Sequence, residues 1–293
     1  RRTDARVQRD RETMIRDEYL RRLVDDAYVD VYLSANDGHR IYWPWRMHPP
    51  HESSQAYRNA CEKYIIDSAP QRPATGNKDV LDEAVRVGAD AVLLADYFPF
   101  EMYEPGGAYE LTPDDDPVQH EAYRGAEREY GDAHTATVAR VQAGMELARE
   151  HAFDGDVIVP LQAPYADAID DLPDAGRYAI GGLNKSSDAE RVAAAKEVRC
   201  KRPDAWIHGL GWGAREGLVA AVHENPNLID GVDYSTPIQT VQDGTIDAGA
   251  ERMSVAAARA GAMLVEDLRR FSPHLSDPPT RPRHNQSGMG DWA

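Results

Sequence analysis

The 293-residue chain is long enough for one large domain with a sizeable core. Its net charge of −17, with only five lysines among 33 basic residues, reads as a surface suited to strong salt, where repulsion between carboxylates is screened. Two cysteines, Cys61 and Cys200, exclude a disulfide framework or a close metal-ligand pair, and no apolar run reaches the roughly 20 residues that span a bilayer.

Residues 1–27 are charged, with a weak helical pattern around Met14 to Leu23. Val29–Leu33 reads as a strand, followed by an Asp37-Gly38 turn, with Ile41–Trp45 as its hairpin partner. A His- and Pro-rich loop follows. From Tyr64 onward the rhythm is regular. Strand-like runs occupy Tyr64–Ile66, Ala91–Ala95, Val157–Leu161, Tyr178–Ile180, Ala205–Gly209 and Leu228–Val232. Helical patterns lie at Lys78–Val87 (closed by Gly88), Thr135–Glu150, Asp188–Val198, Arg215–Glu224 and about 248–271. Strand alternating with helix predicts a parallel sheet, and seven or eight strands predict closure into an α/β TIM (β/α)8 barrel, irregular or incomplete at its N-terminal part. The barrel domain is expected over residues 1–271, with an acidic insertion at about 101–133 and an extended tail over 272–293. No signal peptide is visible, so a cytoplasmic setting is expected, with the natural N-terminus upstream of Arg1.

The predicted strands end in polar or glycine signatures: Asp67, Asp96, Gln162, Gly181-Gly182-Leu183 and Asp233. Chemistry in such barrels gathers at the C-terminal strand ends. Two carboxylates from different strands divide labour in glycosyl transfer, one attacking the anomeric carbon and one moving protons. Asp233 is the expected nucleophile and Asp67 the expected acid/base. Asp230 either contributes to substrate binding or serves as a structural partner. An ionised Asp matches the N1–H and exocyclic amine of guanine, and an amide or backbone N–H matches O6, so Asp96, Gln162 and the Gly182 backbone suit a purine-like base. The glycine pair would let a flat ring approach the main chain. Tyr97, Phe98 and Phe100 would either sandwich that base or pack the barrel rim.

At these residues the chain resembles the tRNA-guanine transglycosylase superfamily, over about Tyr64 to Pro237. The resemblance is carried by Asp67-Ser68, Asp96-Tyr97-Phe98-Pro99-Phe100, Gln162, Tyr178-Ala179-Ile180-Gly181-Gly182-Leu183, Gly209-Leu210-Gly211 before a helix, and Asp230 and Asp233 before Pro237. It implies a TIM barrel and a base exchange without a cofactor, with Asp233 and Asp67 catalytic. Asp96, Gln162, Gly181, Gly182, Leu183, Ser68, Tyr97 and Asp230 would bind the substrate.

Departures set limits. The family's zinc-binding Cys-x-Cys-x-x-Cys is absent, so no metal is expected; Pro237 is followed by Ile-Gln-Thr, and Ala69-Pro70 replace two glycines. The chain is similar to a divergent branch that places 7-deazaguanines in DNA. The expected partners are therefore nucleic acid, DNA in preference to tRNA, and a free 7-deazaguanine such as preQ0, with no membrane and with oligomers open. Arg1, Arg2, Arg40, Arg46, Arg72, Arg281 and Arg283 are candidate phosphate contacts, and Trp43, Trp45 and the His48–His51 loop a candidate wedge for extruding a base. Two other readings stand beside this one. One is a non-catalytic subunit that binds nucleic acid or a catalytic partner; the other is an unrelated barrel enzyme such as a glycosidase.

Overall fold

The computed structural model describes residues 18–35, 42–151, 153–172, 174–183, 185–242 and 253–273. Eight strands, all parallel, close into one barrel in sequence order: β1 (Asp30–Leu33), β2 (Trp45–His48), β3 (Lys63–Ile66), β4 (Ala91–Leu93), β5 (Asp156–Leu161), β6 (Arg177–Ile180), β7 (Trp206–Gly209) and β8 (Gly231–Tyr234). The ring is sealed where Tyr32 of β1 pairs with Asp233 of β8. This is a TIM (β/α)8 barrel, complete at its N-terminal side.

Ten helices are described: α1 (Glu18–Asp26), α2 (Gln55–Arg58), α3 (Asn77–Val87), α4 (Pro117–Tyr130), α5 (Ala133–Glu150), α6 (Tyr165–Asp171), α7 (Asp188–Lys201), α8 (Glu216–Glu224), α9 (Thr236–Gln242) and α10 (Met253–Arg270). Local signals set their ends. Ser187 caps α7 in a reciprocal box with Glu190, and Gly88 closes α3 in the left-handed region at φ 67°.

Alternation along the strands sorts the core into layers. Tyr64, Ile66 and Val92 turn outward onto Val80, Leu81, Ala84 and Val87 of α3. Ile65 belongs instead to the main cluster with Tyr32, Trp45 and Met47. A third cluster, Phe98, Phe100, Tyr103, Tyr123, Ala126 and Ala136, gives the 101–133 insertion a small core of its own, so this segment is largely α4 and a 3-10 turn over Phe100–Met102, not an open loop.

Two expectations change. The partner of β1 is not a hairpin strand at Ile41–Trp45 but the parallel β2 at Trp45–His48. Apolar alternation marks a strand without giving its direction. The Asp37-Gly38 turn lies outside the described residues. The last strand starts at Gly231, three residues later than expected, which alters the roles of its two aspartates. The segment 274–293 also lies outside the described residues.

Candidate active site

Asp67 follows β3 directly, Asp96 stands three residues past the end of β4, and Asp233 lies within β8. Each is therefore delivered to the C-terminal face of the barrel by a strand whose hydrogen bonds fix its backbone. Asp67 N–H, for example, donates to His48 O at 2.8 Å, continuing the ladder past β3.

Asp96 is buried and its two oxygens are held by different neighbours. Ser68 Oγ donates to Oδ1 at 2.8 Å, and Gln162 Nε2 donates to Oδ2 at 2.7 Å. Burial still pushes its carboxyl up from the ordinary range, against those two bonds and the Arg140 charge. Asp67 is half-buried, and its carboxyl is pushed up to about 7, first by desolvation, then by the negative charges of Asp233 and Asp96. Ser68 N–H opposes this by donating to Asp67 Oδ1 at 2.8 Å. The three carboxylates thus form one electrostatic unit, in which one member is poised to hold a proton near neutrality.

Asp233 is buried. Its Oδ1 meets the Gly211 N–H at 2.8 Å and His208 Nε2 at 3.0 Å. Gly211 adopts φ 68°, which aims its amide at the carboxylate; a side chain would strain that turn. The glycine-rich stretch after β7 is thus an amide donor for Asp233. On the β3 side, Ala69 holds φ 54° where the resembled family has glycine, a left-handed backbone that costs on the order of 1–3 kcal/mol.

Gln162 is buried, and its Oε1 has no hydrogen-bond partner among the described residues. Its amide fills the space beside the glycine pair: a Cβ on Gly182, at φ 77°, would lie 2.7 Å from Oε1, and one on Gly181 would lie 2.8 Å from Nε2. The close approach these glycines allow is made by Gln162 itself. Gly181 O accepts from Tyr165 Oη at 2.8 Å, and Leu183 packs against the main core while its carbonyl accepts from Arg191. Tyr97 is half-buried, with the Arg140 guanidinium 4.4 Å from its ring centre.

Asp67, Ser68, Asp96, Gln162, Gly181 and Gly182 are brought together, with Asp233 joined through its field on Asp67. Asp230 is not part of this group. It precedes β8 at the opposite, N-terminal end, where Oδ2 accepts from the Ile207 N–H at 2.7 Å and from Arg199 Nη2 at 2.8 Å. It is a structural partner, since a strand of four residues cannot bring both aspartates to one rim. Phe98 and Phe100 are buried in the rim cluster, with Phe98 stacked on Tyr109 at 4.5 Å. Trp43 and Trp45 are buried too, and Trp43 Nε1 donates to Val31 O at 2.7 Å, so neither forms an exposed wedge. His48 is enclosed against Tyr57, and desolvation, then the Arg46 charge, lower its pKa to about 3 against the opposing hydrogen bond to Ala35 O. Arg46 is likewise buried, with its guanidinium 5.1 Å from the Tyr57 ring centre, unsuited to phosphate; Arg72 is exposed. Arg1, Arg2, Arg40, Arg281 and Arg283 lie outside the described residues.

Sequence reasoning missed His208, Tyr165 and Arg140. For His208 a signal existed: it is the polar member of an otherwise apolar strand, Trp206–Gly209, at an inward-facing position. A groove of about 470 Å³ lined by Tyr97, Gly125, Tyr130, Ala136 and Arg140 lies along α4 and α5 and shares Tyr97 and Arg140 with the rim of the site.

No model of a protein family matches the sequence, and no curated protein is similar to it. Among solved structures, the chain is similar to the YdjI aldolase from Escherichia coli K12, at 10% identity and TM-score 0.47, over 83% of this chain and 91% of that one. It is also similar to a putative fructose-1,6-biphosphate aldolase from Coccidioides immitis, at 9% identity and TM-score 0.46, over 85% and 91%.

Proposed function

We propose that the protein is a transglycosylase exchanging guanine for a 7-deazaguanine in nucleic acid, with DNA favoured over tRNA. The observation that carries this reading is the carboxylate cluster at one barrel mouth, in which the Asp67 carboxyl is pushed up to about 7 beside Asp96 and Asp233. Division of labour between carboxyls requires such a separation.

In the first half-reaction an Asp233 oxygen attacks C1′, and the C1′–N9 bond breaks with its electron pair going to guanine. The protonated Asp67 carboxyl supplies the proton that lets guanine leave neutral. In the second half, the ionised Asp67 takes the N9 proton of the incoming 7-deazaguanine, N9 attacks C1′, and Asp233 departs as carboxylate. Asp67 ends protonated, so charge and protons return to the start. Asp96 spends one lone pair per oxygen on Ser68 and Gln162 and keeps others for a base N–H edge. Gln162 retains a second Nε2 proton for a carbonyl oxygen.

The test is label release from guanine-labelled duplex DNA and from tRNA, in molar salt with preQ0 present, beside Asp233→Ala. Release from one polymer, lost in the variant, is the expected result. A folded protein that releases nothing from either polymer would sink the enzymatic reading and favour a non-catalytic binding subunit.

A further inference from the structure

The geometry points to His208 as the positioning residue of Asp233, one that, together with the Gly211 amide, ties down Oδ1 and leaves Oδ2 as the attacking oxygen. This inference rests on the base-exchange reading above. A carboxylate rotates freely about its Cβ–Cγ bond and offers two equivalent oxygens. Attack at C1′ from a fixed direction needs one of them held at the near-attack distance.

Two donors converge on Oδ1. Gly211 N–H lies at 2.8 Å and His208 Nε2 at 3.0 Å, whereas Oδ2 has no hydrogen bond among the described residues. A carboxylate oxygen accepts, so Nε2 is the donor of this contact. Nδ1 has no partner among the described residues, and it is buried.

Three neighbours hold the imidazole. Trp206 stacks on it at 5.4 Å with planes 25° apart, and Tyr32 meets it edge-on at 5.3 Å. Gly231, its register partner on β8, lies against Nδ1; a Cβ there would come within 2.6 Å of that atom. The ring is 1% exposed, so it is out of reach of a polymer substrate, and acts only through Asp233. Its neighbours Trp206 and Tyr32 come from β7 and β1, which flank β8, so the orientation of Asp233 is set by three adjacent strands.

The test compares wild type with His208→Leu, which keeps bulk without a donor, and His208→Gln, whose amide N–H reaches about as far as Nε2. Each is first checked for folding by thermal unfolding. Single-turnover guanine release from the polymer that wild type uses is then measured, with polymer binding read separately. The expected result is a loss of about 10²-fold in the release rate for His208→Leu, little change in binding, and recovery of most of the rate in His208→Gln. Release at the wild-type rate in His208→Leu overturns the inference, as does equal impairment of both variants. In parallel, 15N spectra of histidine-labelled protein are expected to show an Nε2–H tautomer at His208 that shifts in Asp233→Ala. An Nδ1–H tautomer, or no response to that substitution, overturns the contact itself. The spectra need no turnover, so an inactive wild type would count against base exchange while the spectra still decide whether His208 holds Asp233.

Discussion

At Asp67 three causes act in one direction: burial, the Asp233 charge and the Asp96 charge all raise the carboxyl, to about 7 against an ordinary 3.8. The folded protein therefore holds a proton that the unfolded chain releases between about pH 4 and pH 7. Stability falls as pH rises across that window, because the unfolded state binds fewer protons there. Asp67→Asn cannot ionise and escapes the loss. Its expected gain at pH 8 is about 2 kcal/mol, a Tm rise on the order of 5 °C, with no gain at pH 4. Equal gains at both pH values would show that the effect is not electrostatic. In the proposed reaction the same proton is the one delivered to guanine, so release falls as pH passes upward through about 7.

Among the elements, α5 does the most to hold the rim of the site. Arg140 donates to Pro73 O at 3.0 Å, to Thr75 O and to Asp96 O at 3.4 Å, while covering Tyr97. The Arg140 carbonyl accepts from Asn77 Nδ2 at 2.8 Å, and Asn77 Oδ1 accepts from the Ala95 N–H at 2.7 Å. One helix thus ties the loop after β3 to the end of β4, the two segments that present Asp67 and Asp96. Arg140→Ala is expected to cost about 2–3 kcal/mol in urea unfolding, since several buried carbonyls lose a charged donor. Arg140→Lys recovers little, because an ammonium cannot span those carbonyls as a planar fork does. A cost below about 0.5 kcal/mol would remove the clamp from this account. The short β8 teaches the complementary lesson: Asp230 and Asp233 are three residues apart, yet they serve opposite ends of the barrel.

For the whole molecule the dominant quantity is a net charge of −17 on 293 residues. At low ionic strength this surface repels itself; at about 1 M salt the Debye length falls to roughly 3 Å and only contact pairs persist. Tm is expected to rise by on the order of 5 °C or more between about 0.1 M and about 2 M KCl. A flat or falling curve would mean that surface ion pairs such as Arg58–Asp90 and Arg177–Asp156 outweigh the repulsion.

Much of this was legible in the sequence for a local reason. Short β-branched runs bounded by glycine and polar residues declare strands, alternating helices force them parallel, and a polar residue just past a strand stands at the barrel mouth. That logic located a barrel of seven or eight strands and the strand ends that carry Asp67, Asp96, Gln162 and Asp233. What it could not supply is any property created by neighbours distant in the chain. The direction of β2 depends on closure of the ring. The burial of Trp43, Trp45, Arg46 and His48 depends on what packs over them. The elevated Asp67 carboxyl depends on two aspartates 29 and 166 residues away in sequence, and the bond between His208 and Asp233 on the register of β7 with β8. Local sequence sets what each strand is and where it ends; the through-space fields and contacts that make carboxylates differ from one another exist only once the barrel has closed.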